Sequence, residues 1–335
     1  VNPSAAPQTV LVLYSVIDQW ERGEPHELLA DAETAETAAA VVAGLQSGVW
    51  EVTHQAVRTL DDVRAALVGI QNSTTLVFNL CEALGGSSGD ENAVPELLDA
   101  QRIAYVGGDS QNLAACLDKV ETKAHLRRAG LPTAAAQLFA TGQEPCRLPF
   151  PLLIKTLYED SSVGLSPNSL VWNEAELRRQ VAYVLRVYRQ PAFAEQFLHG
   201  REFYASLWEA VPGEPTLLAI SQADYSTAPQ PDLAFDHFEA KWQNTYPSIC
   251  PAPIPADLWA KIAAIAQAAY RTMGCRDYAR VDLREEGDEI YILEVNPNPA
   301  LHPDAGFAKA ARYAGISFAD LTHQLVKTAW QRRNG

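Results

Sequence analysis

The feature that most narrows the fold of this chain is a regular alternation of short apolar runs with amphipathic stretches through its first third. Val10–Tyr14 (VLVLY) has the length of one buried strand. Ala32–Gly48 is alanine-rich, carries helical spacing and ends on a glycine, a common helix stop. Glu51–Val57 reads as a second strand, Leu60–Ile70 as a helix, Thr75–Leu80 (TLVFNL) as a third strand and Pro95–Gln101 as a helix. Ile103–Val106 is a strand halted by Gly107-Gly108. Strand and helix in alternation imply a parallel sheet covered by helices, an α/β layer.

The texture then changes. Leu117–Gly130 reads as a helix that carries Lys119 and Lys123, one turn apart, and closes on Gly130-Leu131-Pro132. Phe150–Thr156, Ser169–Trp172, Ala192–Phe197, Phe203–Ala210 and Thr216–Gln222 look like strands, with one helix at Glu174–Arg189. This is the pattern of an α+β arrangement. Tyr225–Pro255 is rich in proline and aromatics without periodicity and reads as a long functional loop. Pro255–Met273 is a helix. Asp277–Arg284 and Glu289–Val295 flank Glu285-Glu286-Gly287-Asp288, a hairpin signal, and Asp304–Tyr313 and Phe318–Arg332 are closing helices.

Charge excludes some partners. Against 26 basic side chains stand 41 acidic ones, a net charge of −15, which disfavours nucleic acid and anionic membrane surfaces. No apolar run reaches the ~18 residues of a membrane helix. The five cysteines are odd in number and lack C-x-x-C spacing, so neither a disulfide framework nor a cysteine zinc site is expected. The seven histidines form no H-E-x-x-H pattern. A reducing compartment, the cytoplasm, is the default expectation.

The densest chemistry lies in the last hairpin. Arg280-Val281-Asp282 occupies one strand and Glu294-Val295-Asn296 the end of the next, before Pro297-Asn298-Pro299. Period-two alternation puts Arg280 with Asp282 and Glu294 with Asn296, and a hairpin brings the pairs together. Two carboxylates and an amide are hard oxygen donors, suited to Mg²⁺ held against nucleotide phosphates. The competing reading, solvated charges on an exposed face, fits poorly with the interleaved Val281, Leu283, Leu293 and Val295. A second signal is Lys155 at a strand end, followed by Glu159-Asp160-Ser161-Ser162-Val163-Gly164. That loop can offer amides and hydroxyls to an anion, although it is no Walker A loop. A third is Glu195-Gln196-Phe197-Leu198 with Glu202, where a strand end can meet an adenine edge and a ribose. Lys241 sits alone in the long loop.

In order and spacing, Asp118–Pro132, Leu153–Gly164, Glu195–Glu202, Glu239–Lys241 and Arg280–Pro299 resemble the D-alanine–D-alanine ligases of the ATP-grasp superfamily. The resemblance covers about two hundred residues, and its motifs are specific in combination. It implies an ATP-grasp fold with an N-terminal Rossmann-like (pre-ATP-grasp) domain at 1–117, a central subdomain at 118–204 and a C-terminal subdomain at 205–335. It further implies ATP as substrate and Mg²⁺, two ions, with Mn²⁺ able to substitute. Lys123 and Lys155 resemble the phosphate-binding lysines, and Ser161, Ser162 and Val163 the loop that closes over the phosphates. Glu195, Phe197 and Leu198 resemble the adenine site, Glu202 the ribose contact, and Lys241 the lysine that reaches the γ-phosphate. Arg280 resembles the catalytic arginine, acting with Ser161 and Lys241, and Asp282, Glu294 and Asn296 the metal ligands. Small amino-acid-like substrates and a homodimer are also what the resemblance implies.

The departures cluster at the amino-acid substrates. Tyr14-Ser15-Val16-Ile17-Asp18 lacks the family's glycine-rich turn and amine-binding glutamate, for which Glu21 or Glu24 are the nearby candidates. Trp242 replaces the family's tyrosine and breaks its Ser–Tyr–Glu link. Ala300 and Ala305 replace a glycine and a carboxylate-binding serine, and Asp160 stands where glycine is usual. The expected function is a carboxylate–amine ligase that forms an acylphosphate and has an altered substrate pair. An authentic D-alanine–D-alanine ligase and a nucleotide-binding regulatory protein without ligase activity are the alternatives.

Overall fold

In the computed structural model, residues 6–18, 22–85, 91–243 and 245–334 are described; Glu21, one candidate for the substrate amine, lies outside them. The alternation of the first third folds as expected. β1 (Thr9–Ser15), β2 (Glu51–Val57), β3 (Thr75–Leu80) and β4 (Ala104–Val106) form a parallel sheet in the order β2-β1-β3-β4. Its faces bury different neighbours. Val10, Val12, Leu76 and Phe78 pack on one side with α1 (Leu29–Gln46), while Leu11, Leu13 and Val77 face α2 (Leu60–Ala66) and α3 (Ala93–Ala100) on the other. Two-sided cover explains why β3 is apolar and buried almost without alternation.

The helix expected over Leu117–Gly130 is α5 (Lys119–Arg128), and a further helix not expected from the sequence, α4 (Ser110–Leu117), precedes it. Asp118 divides them. Its extended backbone ends the first, and its carboxylate accepts the amides of Val120 at 2.8 Å and Glu121 at 3.1 Å, capping the second. Such a cap contributes about 1 kcal/mol.

A central antiparallel sheet follows, in the order β5 (Ala136–Phe139), β8 (Ala192–Gln196), β6 (Leu152–Thr156), β7 (Leu170–Val171), backed by α6 (Glu174–Val187). The third sheet runs β11 (Ser248–Ile249), β10 (Pro215–Ala223), β9 (Glu202–Glu209), β12 (Tyr278–Glu286), β13 (Glu289–Asn296). The short strand β11 and helix α7 (Phe238–Trp242) both lie in the stretch expected as loop.

Three features run across the expected boundaries. A cut at 204/205 would fall inside β9. Helix α5 packs on α8 (Ala256–Thr272) and β13, so Leu126 belongs to the core of the third sheet. After α9 (Gly306–Tyr313), the closing helix α10 (Phe318–Asn334) returns to the first sheet. There its Leu321, Leu325 and Trp330 share a core with α1. The chain ends where it began, with the cleft walled by all three sheets.

Candidate active site

The hairpin of β12 and β13 sets Arg280 opposite Asn296 and Asp282 opposite Glu294, as period-two alternation requires. The register slips just beyond, between Asp282 and Leu283, so the four polar residues form one patch. Arg280 grips Asp282 with two bonds, Nε to Oδ1 at 2.6 Å and Nη2 to Oδ2 at 2.7 Å. The Asn296 amide lies 3.2 Å from Asp282 Oδ2 and 3.3 Å from Glu294 Oε1. Burial pushes the Asp282 carboxyl up to about 7 despite Arg280, and Glu294 pushes the same way. Glu294 is held down at about 2, because Lys155, Lys119 and Arg280 outweigh its burial. Two converging carboxylates and an amide oxygen suit a hard divalent cation such as Mg²⁺. Among the described residues no three His, Cys, Asp or Glu side chains gather as a metal site, so such a cation would take its other ligands from outside the protein.

Above this patch opens a cleft of about 420 Å³. Lys155, Ser161, Ser162, Val163, Glu195, Phe197, Leu198, Glu202, Lys241, Arg280, Asp282, Glu294 and Asn296 all line it, so residues scattered over 142 positions of sequence are brought together, from 155 to 296. Lys123 is the exception. It lies beneath the cleft floor, bonded to Glu195 and, at 2.7 Å, to Thr133 Oγ1. The lysine of the same helix that lines the cleft is Lys119, whose Nζ donates to the Glu159 carbonyl at 2.6 Å. The resemblance picks Lys123 of the two lysines on this helical face; the docking of α5 on β13 puts Lys119 in the cleft wall and Lys123 under Glu195.

Glu195 is 2% exposed, and its two oxygens serve different lysines: Oε1 faces Lys123 and Oε2 lies 2.8 Å from Lys155. Burial opposes its ionisation, yet the two ammonium groups hold its carboxyl below the usual range. Its first task is therefore to seat Lys155. Lys241 is different. Its ammonium has no hydrogen-bond acceptor among the described residues and lies 5.9 Å from the Trp242 ring. Burial and Arg280 hold it below the ordinary lysine range.

The loop after Lys155 is bent by left-handed residues: Ser161 at φ 52°, Ser162 at φ 62° and Gly164 at φ 83°. Only Gly164 is a glycine, and a Cβ there would lie 2.6 Å from Thr156 Cγ2. Internal turns close from Val163 N to Asp160 O at 2.9 Å and from Leu165 N to Ser162 O at 3.0 Å. The amides of Ser161 and Ser162 donate to nothing among the described residues. Successive backbone donors in such a bend form a concavity for an anion.

At the far end, Leu153, Phe197 and Phe235 form an apolar slot. The Arg284 guanidinium stacks 4.7 Å over Phe197 and bonds Glu202 Oε2 at 3.1 Å. Glu202 also accepts the hydroxyls of Tyr204 and Tyr225, which fixes its carboxylate at the slot's edge.

The wall from the first sheet carries acids that sequence reading did not single out, Glu82 and Glu91. The buried Ser15 hydroxyl presents Glu82 by accepting its amide at 3.2 Å. Glu24 does not reach the cleft; it accepts the Tyr183 hydroxyl at 2.8 Å. Ala300 lines the cleft, whereas Ala305 only precedes α9. The Trp242 ring turns away, 5.8 Å from Phe238 in the core under α6.

Comparison with known proteins gives a consistent result. A family profile described as "D-ala D-ala ligase C-terminus" matches residues 122–327, a span that holds every site residue named above from Lys123 to Asn296. The chain is similar to the D-alanine–D-alanine ligase of Desulforudis audaxviator, 31% identical over 75% of this chain and 80% of that protein. It is similar to that of Gluconobacter oxydans, 32% identical over 77% and 81%. Among solved structures, the D-alanine–D-alanine ligase of Bacillus anthracis complexed with ATP shares the fold, with a TM-score of 0.77 at 20% identity, over 98% of this chain and 99% of that one.

Proposed function

The chain belongs to the D-alanine–D-alanine ligase family, ATP-grasp enzymes that form C–N bonds, and from this premise we propose that it joins a carboxylate to an amine at the expense of ATP, with a substrate pair other than two D-alanines. The observation that carries the reading is the convergence of Lys119, Lys155, Lys241 and Arg280 on one cleft with Asp282, Glu294 and Asn296. Adenine takes the slot of Phe197, Leu198 and Phe235, and ribose the edge held by Glu202. Lys119, Lys155 and the free amides of Ser161 and Ser162 face the phosphates. Lys241, whose ammonium has no acceptor among the described residues, would meet the γ-phosphate.

Asp282, Glu294 and Asn296 would hold Mg²⁺, two ions by family expectation, which neutralises charge on the transferred phosphoryl group when bound. The substrate carboxylate oxygen attacks the γ-phosphorus, the bond to the bridging oxygen breaks, and ADP leaves. The acylphosphate carbon then accepts the lone pair of the amine, and the carbonyl oxygen becomes an oxyanion; as it collapses, the carbon–oxygen bond to the phosphoryl group breaks, and phosphate leaves with the proton that the amine nitrogen gives up. Arg280 stabilises that oxyanion and the departing phosphate. It stays protonated throughout, because Asp282 and Glu294 outweigh its burial.

Glu82 and Glu91 set two carboxyl groups on the cleft wall as acceptors suited to an ammonium group. Burial, then Asp160 and Glu82, raises the Glu91 carboxyl well above its ordinary value, and a cation beside it would act in the opposite direction. Substrates are small amino-acid-like molecules, and a cytoplasmic homodimer belongs to the same reading. No helix among the described residues is long and apolar enough to cross a membrane.

The test is ADP and phosphate release from Mg²⁺–ATP against D- and L-amino acids, hydroxy acids and dipeptides. Stimulation by a carboxylate–amine pair other than D-alanine supports the proposal. Stimulation by D-alanine alone supports the second reading, an authentic D-alanine–D-alanine ligase, which the names of the relatives favour. ATP binding with no stimulated release would sink both.

A further inference from the structure

Residues 22–28, just ahead of α1, lie against helix α6 of the central domain and carry a carboxylate that neither the cleft nor the reaction uses. Glu27 is 2% exposed and does not line the cleft. Its Oε1 accepts the Gly164 amide at 2.8 Å and the Tyr188 hydroxyl at 2.9 Å, while Oε2 accepts the Glu24 amide at 2.8 Å. The three donors come from three separate places: the phosphate loop, the end of α6 and this segment itself. A buried carboxylate is tolerated only when such donors surround it, so each element is held by the other two.

The segment is itself fastened. The Gly23 amide donates to the Val187 carbonyl at 3.2 Å, and Glu24 takes the Tyr183 hydroxyl. Gly23 has φ 103°, a conformation that favours glycine, and a Cβ there would fall 2.8 Å from Glu27 Oε2. Other side chains hold the loop's carbonyls or its rim: Ser162 Oγ donates to the Asp236 carbonyl at 2.8 Å, Thr156 Oγ1 to the Val163 carbonyl at 3.3 Å and Lys119 Nζ to the Glu159 carbonyl at 2.6 Å, whereas Glu27 takes the Gly164 amide. Two non-glycine residues in the left-handed region disfavour this bend, and it persists only where neighbours over-determine it.

We propose that Glu27 is a positioning residue: through the Gly164 amide it holds the phosphate loop in the bend that leaves the Ser161 and Ser162 amides free for the nucleotide. This rests on the loop's being the phosphate site of the proposed reaction. The Tyr188–Glu27–Gly164 chain of bonds thereby ties the first domain to the loop, a link that Trp242, buried elsewhere, does not make.

The test compares Glu27→Ala, Glu27→Gln and Tyr188→Phe with the parent chain. One readout is amide hydrogen exchange at 160–165 without nucleotide, and another is Mg²⁺–ATP affinity by calorimetry. Glu27→Ala should lose protection in the loop while α6 and β8 keep theirs. Its ATP affinity should fall about tenfold to a hundredfold, the worth of one charged hydrogen bond. Glu27→Gln retains a carbonyl acceptor for Gly164 and should recover most of the loop protection. Tyr188→Phe, the milder change, should give a smaller loss of the same sign. Wild-type loop protection in Glu27→Ala, or an equal loss across the whole chain, would overturn the proposal. If the parent chain binds no Mg²⁺–ATP, the ligase reading fails, and the exchange data still decide whether Glu27 orders the loop.

Discussion

Replacing Glu195 by glutamine probes the charge arrangement under the cleft. The carboxylate is buried and answers two ammonium groups, so the substitution removes the only negative charge between Lys123 and Lys155. Lys155 keeps the attraction of Glu294 and Glu202, but Lys123 does not. Breaking a buried pair costs about 3–5 kcal/mol. Without Glu195, burial and Lys155 hold Lys123 still further below the ordinary lysine range. Burial already outweighs Glu195 and holds Lys123 below the ordinary lysine value. In the window between the folded and unfolded values, the unfolded chain binds the extra proton, so stability rises with pH. The variant should therefore be weakest near pH 7 and recover toward the parent as pH approaches ~10. Urea unfolding followed by tryptophan fluorescence reads this directly. With a slope of about 3 kcal/mol per molar, the midpoint should fall by about 1–2 M at pH 7 and by clearly less at pH 9.5. An unchanged midpoint at pH 7, or a deficit that grows with pH, would refute the reasoning.

Three other outcomes are expected. Arg280→Ala should lower kcat about 10²–10³-fold, and Arg280→Lys should not restore it, because a single ammonium cannot reproduce the two-bond grip on Asp282; steady-state ADP release measures both. Gly200→Ala should destabilise the chain by about 1–3 kcal/mol in urea, since its Cβ would overlap the Glu285 backbone carbonyl, and a rigid strand edge cannot yield as a side chain can. Trp242→Tyr should leave substrate preference unchanged in a release assay, because position 242 faces the core beside Phe238; a gain of D-alanine-dependent turnover would contradict this.

The sequence by itself determined the secondary structure that local periodicity can encode. The four parallel strands, the β12–β13 hairpin and its opposed Asp282 and Glu294 were legible because period-two alternation and a Gly287-Asp288 turn specify register within one short segment. Motif spacing was likewise enough to name Lys155, the Ser161–Val163 loop, Glu202 and Arg280. What it missed depends on contacts between distant segments. Lys119 and Lys123 share a helical face, and only the packing of α5 on β13 puts one in the cleft and the other under Glu195. No local pattern marks Glu27, whose donor Gly164 lies 137 positions away. Glu82 and Glu91 reach the cleft wall, and Trp242 the core, for the same reason. Helix α10 joins the first sheet because its apolar stripe is buried there against α1. Period and spacing act along the chain, whereas burial, charge pairing and the choice of which side chain faces a cleft arise only when separate sheets meet.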